Sequence, residues 1–199
     1  MDMAQYDDWL DGINVRLASS AGSAANVPRV IVVHAVRSVV KDFLQRTKIW
    51  VYSPRVATSR LAVRAVSIPR DSFICKLWTN DCKPCFEKHA YFEHPNIINL
   101  SGMRDSDIEN ETLEGMQVSL SVTQSSLECP MFIFDRYYEA ILAGTMASLQ
   151  AMPGKDWSNP NMVEYHSTIY DQAVKDARTN LDNSFNKTKK DYSIPPNFM

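Results

Sequence analysis

Residues 137–178 read YYEAILAGTMASLQAMPGKDWSNPNMVEYHSTIYDQAVKDAR, two helical patterns joined by a turn. In the first, Tyr138, Ile141, Leu142, Met146, Leu149 and Met152 cover one side, while Ala140, Ala143, Gly144, Ala147 and Ala151 form a stripe of small residues on the other. So little polar surface predicts a helix over 136–152 that is buried between other helices. Glycine costs a helix about 1 kcal/mol relative to alanine, so Gly144 predicts a close approach there. Ala140, Gly144, Ala147 and Ala151 are the expected packing positions. Pro153-Gly154 ends the helix, Asn159 caps the next one and Pro160 takes its first position. Along that second helix Met162, Val163, Ile169, Tyr170, Ala173, Val174, Ala177 and Leu181 share a face, opposite Glu164, Asp171, Lys175 and Arg178. The pattern reaches about Phe185, and His166, amid the apolar face, reads as a core histidine.

Working outward, residues 28–47 form the clearest amphipathic helix. Val32, Val33, Val36, Val39, Val40, Phe43 and Leu44 fall in one arc, with Pro28 in the first turn. Tyr6, Trp9, Leu10, Ile13 and Leu17 predict an earlier helix over 3–17 capped by Asp2, and 18–26 reads as a small, polar linker. Between the helical ends the period changes to two. Ile49–Tyr52, Leu61–Ala65, Phe73–Trp78 and Met116–Val122 read as strands separated by turn residues. The expected fold is α+β. A four-helix bundle from 1–48 and 130–186 carries an antiparallel β domain inserted at 49–129, and 187–199 forms an extended tail.

The net charge of −2 over 199 residues conceals blocks: net −3 over 1–28, +8 over 29–70 and −7 over 71–199. A basic block suits nucleic acid, an acidic neighbouring surface, or a solvated helix face. The longest strictly aliphatic run, Val30 to Val33, is too short to cross a bilayer, and the N-terminal residues lack a basic n-region. Four cysteines do not make a disulfide framework.

Cys82, Cys85, His89 and His94 have spacing that zinc accepts, yet one CxxC within so short a stretch also reads as turn and strand residues. The acidic tract 105–114 reads as a solvated loop without EF-hand spacing. Six isolated glycines build no phosphate cradle. No nucleophile elbow or Walker motif is present, so no enzyme activity is expected.

Two strings carry a resemblance, VPRVIVVHAVRSVVKDFLQRTKIW (27–50) and the stretch quoted at the start. Together they resemble the head-to-tail adaptor proteins of tailed bacteriophages. Phe43, Arg46, Thr47 and Trp50 match the family's phenylalanine–basic–threonine–tryptophan-like run. Met152, Pro153, Gly154, Lys155, Trp157, Ser158 and Pro160 match its turn. The β region matches no family pattern. The resemblance implies a virion structural protein of the neck, assembled in the host cytoplasm without cofactor or membrane. Family members form a ring, commonly of twelve subunits, below the portal protein; it extends the DNA channel without reading sequence and presents a surface to the tail or nozzle. It further implies that the C-terminal helix and tail dock on the portal. Lys187, Lys189, Lys190, Tyr192, Ile194, Pro195 and Phe198 are then the candidate anchors. The alternatives are a nucleic-acid-binding module, with or without zinc, and another neck or tail-tube component.

Overall fold

A computed structural model describes residues 2–21, 27–53, 63–78, 91–93, 96–99 and 117–186. Its helices are α1 (Leu10–Ala21), α2 (Arg29–Thr47), α3 (Met131–Gln150) and α4 (Pro160–Asn186). Its strands are β1 (Met3–Gln5), β2 (Val51–Tyr52), β3 (Val63–Ala65), β4 (Ser72–Trp78), β5 (Tyr91–Glu93), β6 (Ile97–Asn99), β7 (Gln117–Val122) and β8 (Glu128–Pro130). The strands pair antiparallel in three small sheets, β1-β8, β2-β7-β4 and β3-β6-β5. The chain is thus a mixed helix-and-strand protein, compatible with the α+β class.

The helical periodicity converts into packing where it is longest. α3 and α4 make the most extensive contact, α2 packs on both, and α1 lies against α2 and α3. The arc read on α2 is the buried one: Val32, Val36, Val39, Val40, Phe43 and Leu44 join a common core. Pro28 stands one position before the helix, its carbonyl accepting from the Ile31 N–H at 2.9 Å. At the other end Lys48 takes the left-handed conformation (φ 60°), and its N–H closes the last turn on the Leu44 carbonyl at 3.0 Å.

The N-terminal expectation needs correction. Residues 3–5 form a strand, a 3₁₀ turn follows at Tyr6–Trp9, and α1 starts only at Leu10. Met3, Ala4 and Gln5 pair with Pro130, Cys129 and Glu128. The Asp8 carboxylate, not Asp2, accepts from the Gln5 N–H at 3.0 Å. Tyr6, Trp9, Ile13 and Leu17 are buried as their spacing requires. A partner strand more than a hundred residues away, however, decides the conformation of the first turn. α1 also continues through 18–21, part of the expected linker; 22–26 lie outside the described residues.

The strand β7 departs from simple alternation. Val118, Leu120 and Val122 are buried, and so are Ser119 and Ser121 on its other face. The Ser119 hydroxyl donates to the Lys48 carbonyl at 2.7 Å and that of Ser121 to the Lys41 carbonyl at 3.3 Å. The two serines thus meet the backbone of α2, which satisfies their hydroxyls in the interior. The sheet β2-β7-β4 therefore sits on α2, and its Ile74, Val118, Leu120 and Val122 belong to the same core cluster as the helices.

Candidate functional site

Gly144 lies where α2, α3 and α4 converge. A methyl added there would stand 2.7 Å from Val39 Cγ1 and 2.8 Å from the Tyr170 ring, closer than such atoms pack. The glycine lets the three helix backbones approach, and Tyr170 closes the seam. Its hydroxyl donates to Asp42 Oδ2 at 2.8 Å, its ring lies 6.1 Å from that of Phe43, and the Arg46 guanidinium lies 5.6 Å above it. Burial, and then the bond to Asp42, hold this phenol protonated far above its usual range. Arg46 also donates to Asp171 at 2.7 Å and pairs with Asp42 at 3.5 Å, so one guanidinium links α2 to α4. Ala140, Gly144 and Ala147 are buried as expected, but Ala151 is exposed. It follows the last residue of α3, where the neighbouring helices no longer cover the stripe.

The turn string is a structural connection. Gly154 adopts φ +70°, which only glycine takes without strain. Trp157 folds back into the core, with Lys155 5.9 Å from its ring. The Gln150 carbonyl at the end of α3 accepts from the Asn159 N–H at 3.1 Å and from the Ser158 hydroxyl at 3.3 Å. Both exit and entry are thereby fixed, and Pro160 begins α4. Of the family-like run at the end of α2 and just beyond it, Phe43, Thr47 and Trp50 are buried and Arg46 forms the ion pairs just described.

The basic block is partly answered within the chain. Arg29 pairs with Asp7 on the 3₁₀ turn, Arg46 with Asp42 and Asp171, and Arg37 Nη1 donates to the Gln124 carbonyl at 3.1 Å. Asp7 and Asp171 come from the flanking acidic blocks and Asp42 from the basic block itself, so the charge alternation along the sequence is partly an intramolecular complementarity. That removes part of the free cationic surface a nucleic-acid module would use.

Cys82, Cys85, His89 and His94, the acidic tract 105–114 and all seven tail anchors lie outside the described residues. Among the described residues no three His, Cys, Asp or Glu side chains gather as a metal site. Cys129 is buried, which pushes its thiol up to about 12, and burial also raises that of Cys75. Both remain thiols near neutral pH, a poor state for a nucleophile. No helix among the described residues is long and apolar enough to cross a membrane.

His166 is buried on α4 and its Nδ1 has no partner among the described residues. Burial first, and then the positive charge of Arg16, hold its pKa below the usual value. Arg16 itself pairs with Glu139 at 2.5 Å. The folded protein therefore keeps this imidazole neutral, while the unfolded chain protonates it near the ordinary value of about 6.5. Stability from this group is complete above that pH and is lost as the pH falls through the depressed folded value. Melting temperatures recorded from pH 7.5 to 5.5 should fall more steeply for the natural protein than for His166→Leu. Parallel curves would show that the imidazole does not sense the interior.

Surface grooves among the described residues include three away from the Gly144 seam. One of about 730 Å³ lies between Tyr52, Arg70, Asp71 and Glu128. A second, about 440 Å³, lies beside the N-terminal half of α2 and is lined by Tyr6, Val30, Val33, His34, Arg37 and Leu127. A third, about 360 Å³, is floored by Ile49, Trp50, Phe132 and Tyr137. The second was missed from sequence. Val30 sits outside the apolar arc of α2, and Leu127 is a lone aliphatic in a polar turn; both signals were present but point nowhere until the chain folds.

No protein-family model matches this chain. No curated protein sequence matches it significantly.

Proposed function

We propose that this chain is a head-to-tail adaptor of a tailed-bacteriophage virion, a structural subunit without catalytic chemistry that forms a ring below the portal. The observation that carries this reading is the α3–turn–α4 unit. The string that resembles the family's turn is the one that sets the α3–α4 connection, through Gly154, Trp157, Ser158 and Pro160. Beside it, Phe43, Arg46, Thr47 and Trp50 tie the end of α2 into the same core and to α4. In this reading the helices of 1–48 and 130–186 form a four-helix bundle. The β segment 49–129 faces the tail or nozzle. Residues 187–199 extend to the portal, with Lys187, Lys189, Lys190, Tyr192, Ile194, Pro195 and Phe198 as anchors. The ring, of about twelve subunits by family resemblance, surrounds the DNA channel and holds no cofactor.

The test is negative-stain imaging of the full chain mixed with purified portal protein. A ring stacked on one face of the portal is expected. Removal of residues 187–199 should weaken docking by about tenfold or more, the loss of one or two buried anchor side chains. Unchanged docking of the shortened chain would remove the tail from the interface, and absence of any ring would remove the adaptor reading. A map of the assembled particle distinguishes the adaptor from another neck or tail-tube component by its direct contact with the portal.

A further inference from the structure

The large apolar side chains left exposed among the described residues are Val15, Val30, Leu127, Tyr165 and Ile169, and four of them fall in two places. Val30, 79% exposed, and Leu127, 67% exposed, line the groove of about 440 Å³ beside α2. Tyr165, 58% exposed, and Ile169, 38% exposed, stand one turn apart on α4. Ile169 was expected on the buried face. It instead continues an outward ridge in which Tyr165, Ile169, Gln172 and Asp176 follow at i, i+4, i+7 and i+11. The Tyr165 ring is propped edge-on against that of His166, at 5.2 Å between centroids. Gln172 donates to Asp176 at 2.8 Å, which steadies the acidic end of the ridge.

The two patches differ in shape and in charge. The groove is concave and carries one net positive charge: Arg29 and Asp7 on its lining pair with each other, which leaves Arg37. Arg37 donates from Nη1 to the Gln124 carbonyl at 3.1 Å and lies 5.6 Å from the Tyr6 ring centre, but no carboxylate pairs with it among the described residues. The ridge is convex, with an aromatic and an aliphatic side chain followed by a carboxylate. An exposed apolar pair beside a charge that has no ion-pair partner among the described residues marks a surface that another protein covers.

We propose that this partner is a second copy of the chain, the α4 ridge of one copy seating in the α2 groove of the next. Tyr165 and Ile169 pack against Val30 and Leu127, and Asp176 faces Arg37. Because the two patches are different surfaces, the contact is heterologous, and repeated use of it generates a ring or an open helix rather than a two-fold dimer. The inference deepens the adaptor reading and rests on it only for closure of the ring.

The test uses the full chain with two surface variants, Leu127→Asp in the groove and Ile169→Asp on the ridge, in sedimentation velocity. The natural protein should form oligomers. Each variant alone should associate about tenfold more weakly or worse, the effect of a charge in the centre of an interface, with unchanged helical circular dichroism and melting. An equal mixture of the two should recover a dimer of one copy of each and go no further. The ridge of the Leu127 variant still fits the groove of the Ile169 variant, and the opposite pairing is blocked. Undiminished assembly of both variants, a mixture no different from its components, or a natural protein that stays monomeric would each overturn the contact. Imaging with the portal separates the two levels. Rings formed equally by both variants leave the adaptor reading standing without this interface. Mixed dimers without rings on the portal keep the interface and remove the adaptor.

Discussion

Trp9→Ala should lower the free energy of unfolding by about 3–5 kcal/mol, the range for removing a fully buried large aromatic from a core. Trp9 is wholly buried although it lies in the 3₁₀ turn next to the chain start. Its indole meets the Phe134 ring edge-on at 4.9 Å and stacks over Tyr138 at 6.2 Å, and these two rings are themselves 5.2 Å apart. The three rings join the N-terminal turn to the first half of α3. The Tyr138 hydroxyl lies against Gly12 of α1, so the same ring cluster also joins α1 to α3. The loss should appear in urea unfolding followed by circular dichroism, with a lower midpoint and an unchanged slope. A loss below about 1 kcal/mol, typical of a surface substitution, would show that the N-terminal turn is not part of the core.

Gly144→Val should cost a comparable amount, about 3–5 kcal/mol, from overpacking together with strain on a hydrogen bond to a charged group. The added atoms enter between Val39 on α2 and the Tyr170 ring on α4. The Tyr170 hydroxyl holds Asp42 at 2.8 Å and also reaches the Val39 carbonyl at 3.3 Å, so the ring cannot swing away without loosening both. The smaller Gly144→Ala decides the sign. In an open helix it stabilises by about 1 kcal/mol through propensity alone. Here it should destabilise, because even one methyl stands 2.7 Å from Val39 Cγ1. A measured gain in stability for Gly144→Ala would show that α2 and α4 do not approach α3 at this point.

Within the candidate site, the small stripe and the turn string were legible because each residue acts on its nearest neighbours along the chain. Gly154, Asn159 and Pro160 punctuate the backbone wherever the turn sits in space. The tie of Tyr170 to Asp42, and of Arg46 to Asp171, was not legible, since each joins residues more than a hundred positions apart. Ile169 was misplaced for a different reason: an apolar residue on an amphipathic helix defaults to the core in any one-dimensional reading, and only the packed neighbours decide whether it is covered. Val30, Leu127 and Tyr165 fall outside any apolar periodicity, and only the fold brings them into a groove and a ridge.

The sequence by itself determined α2, α3 and α4, most of their ends, and the face that each buries over most of its length; α3 starts at Met131, more than a turn before the expected 136. About five to seven helical turns of 3.6-residue periodicity, bounded by Pro, Gly and Asn, outweigh alternatives with local interactions alone. It also placed the strands β4 and β7. Tertiary structure alone decided the rest. Residues 3–5 are a strand because β8 offers a backbone partner, and three residues carry no period to announce it. Ser119 and Ser121 are interior because the carbonyls of Lys48 and Lys41 receive them. Ile169 is outside because α3 and α2 cover only part of the circumference of α4. In each case the deciding group is distant in sequence, and a pattern read along one chain segment cannot contain it.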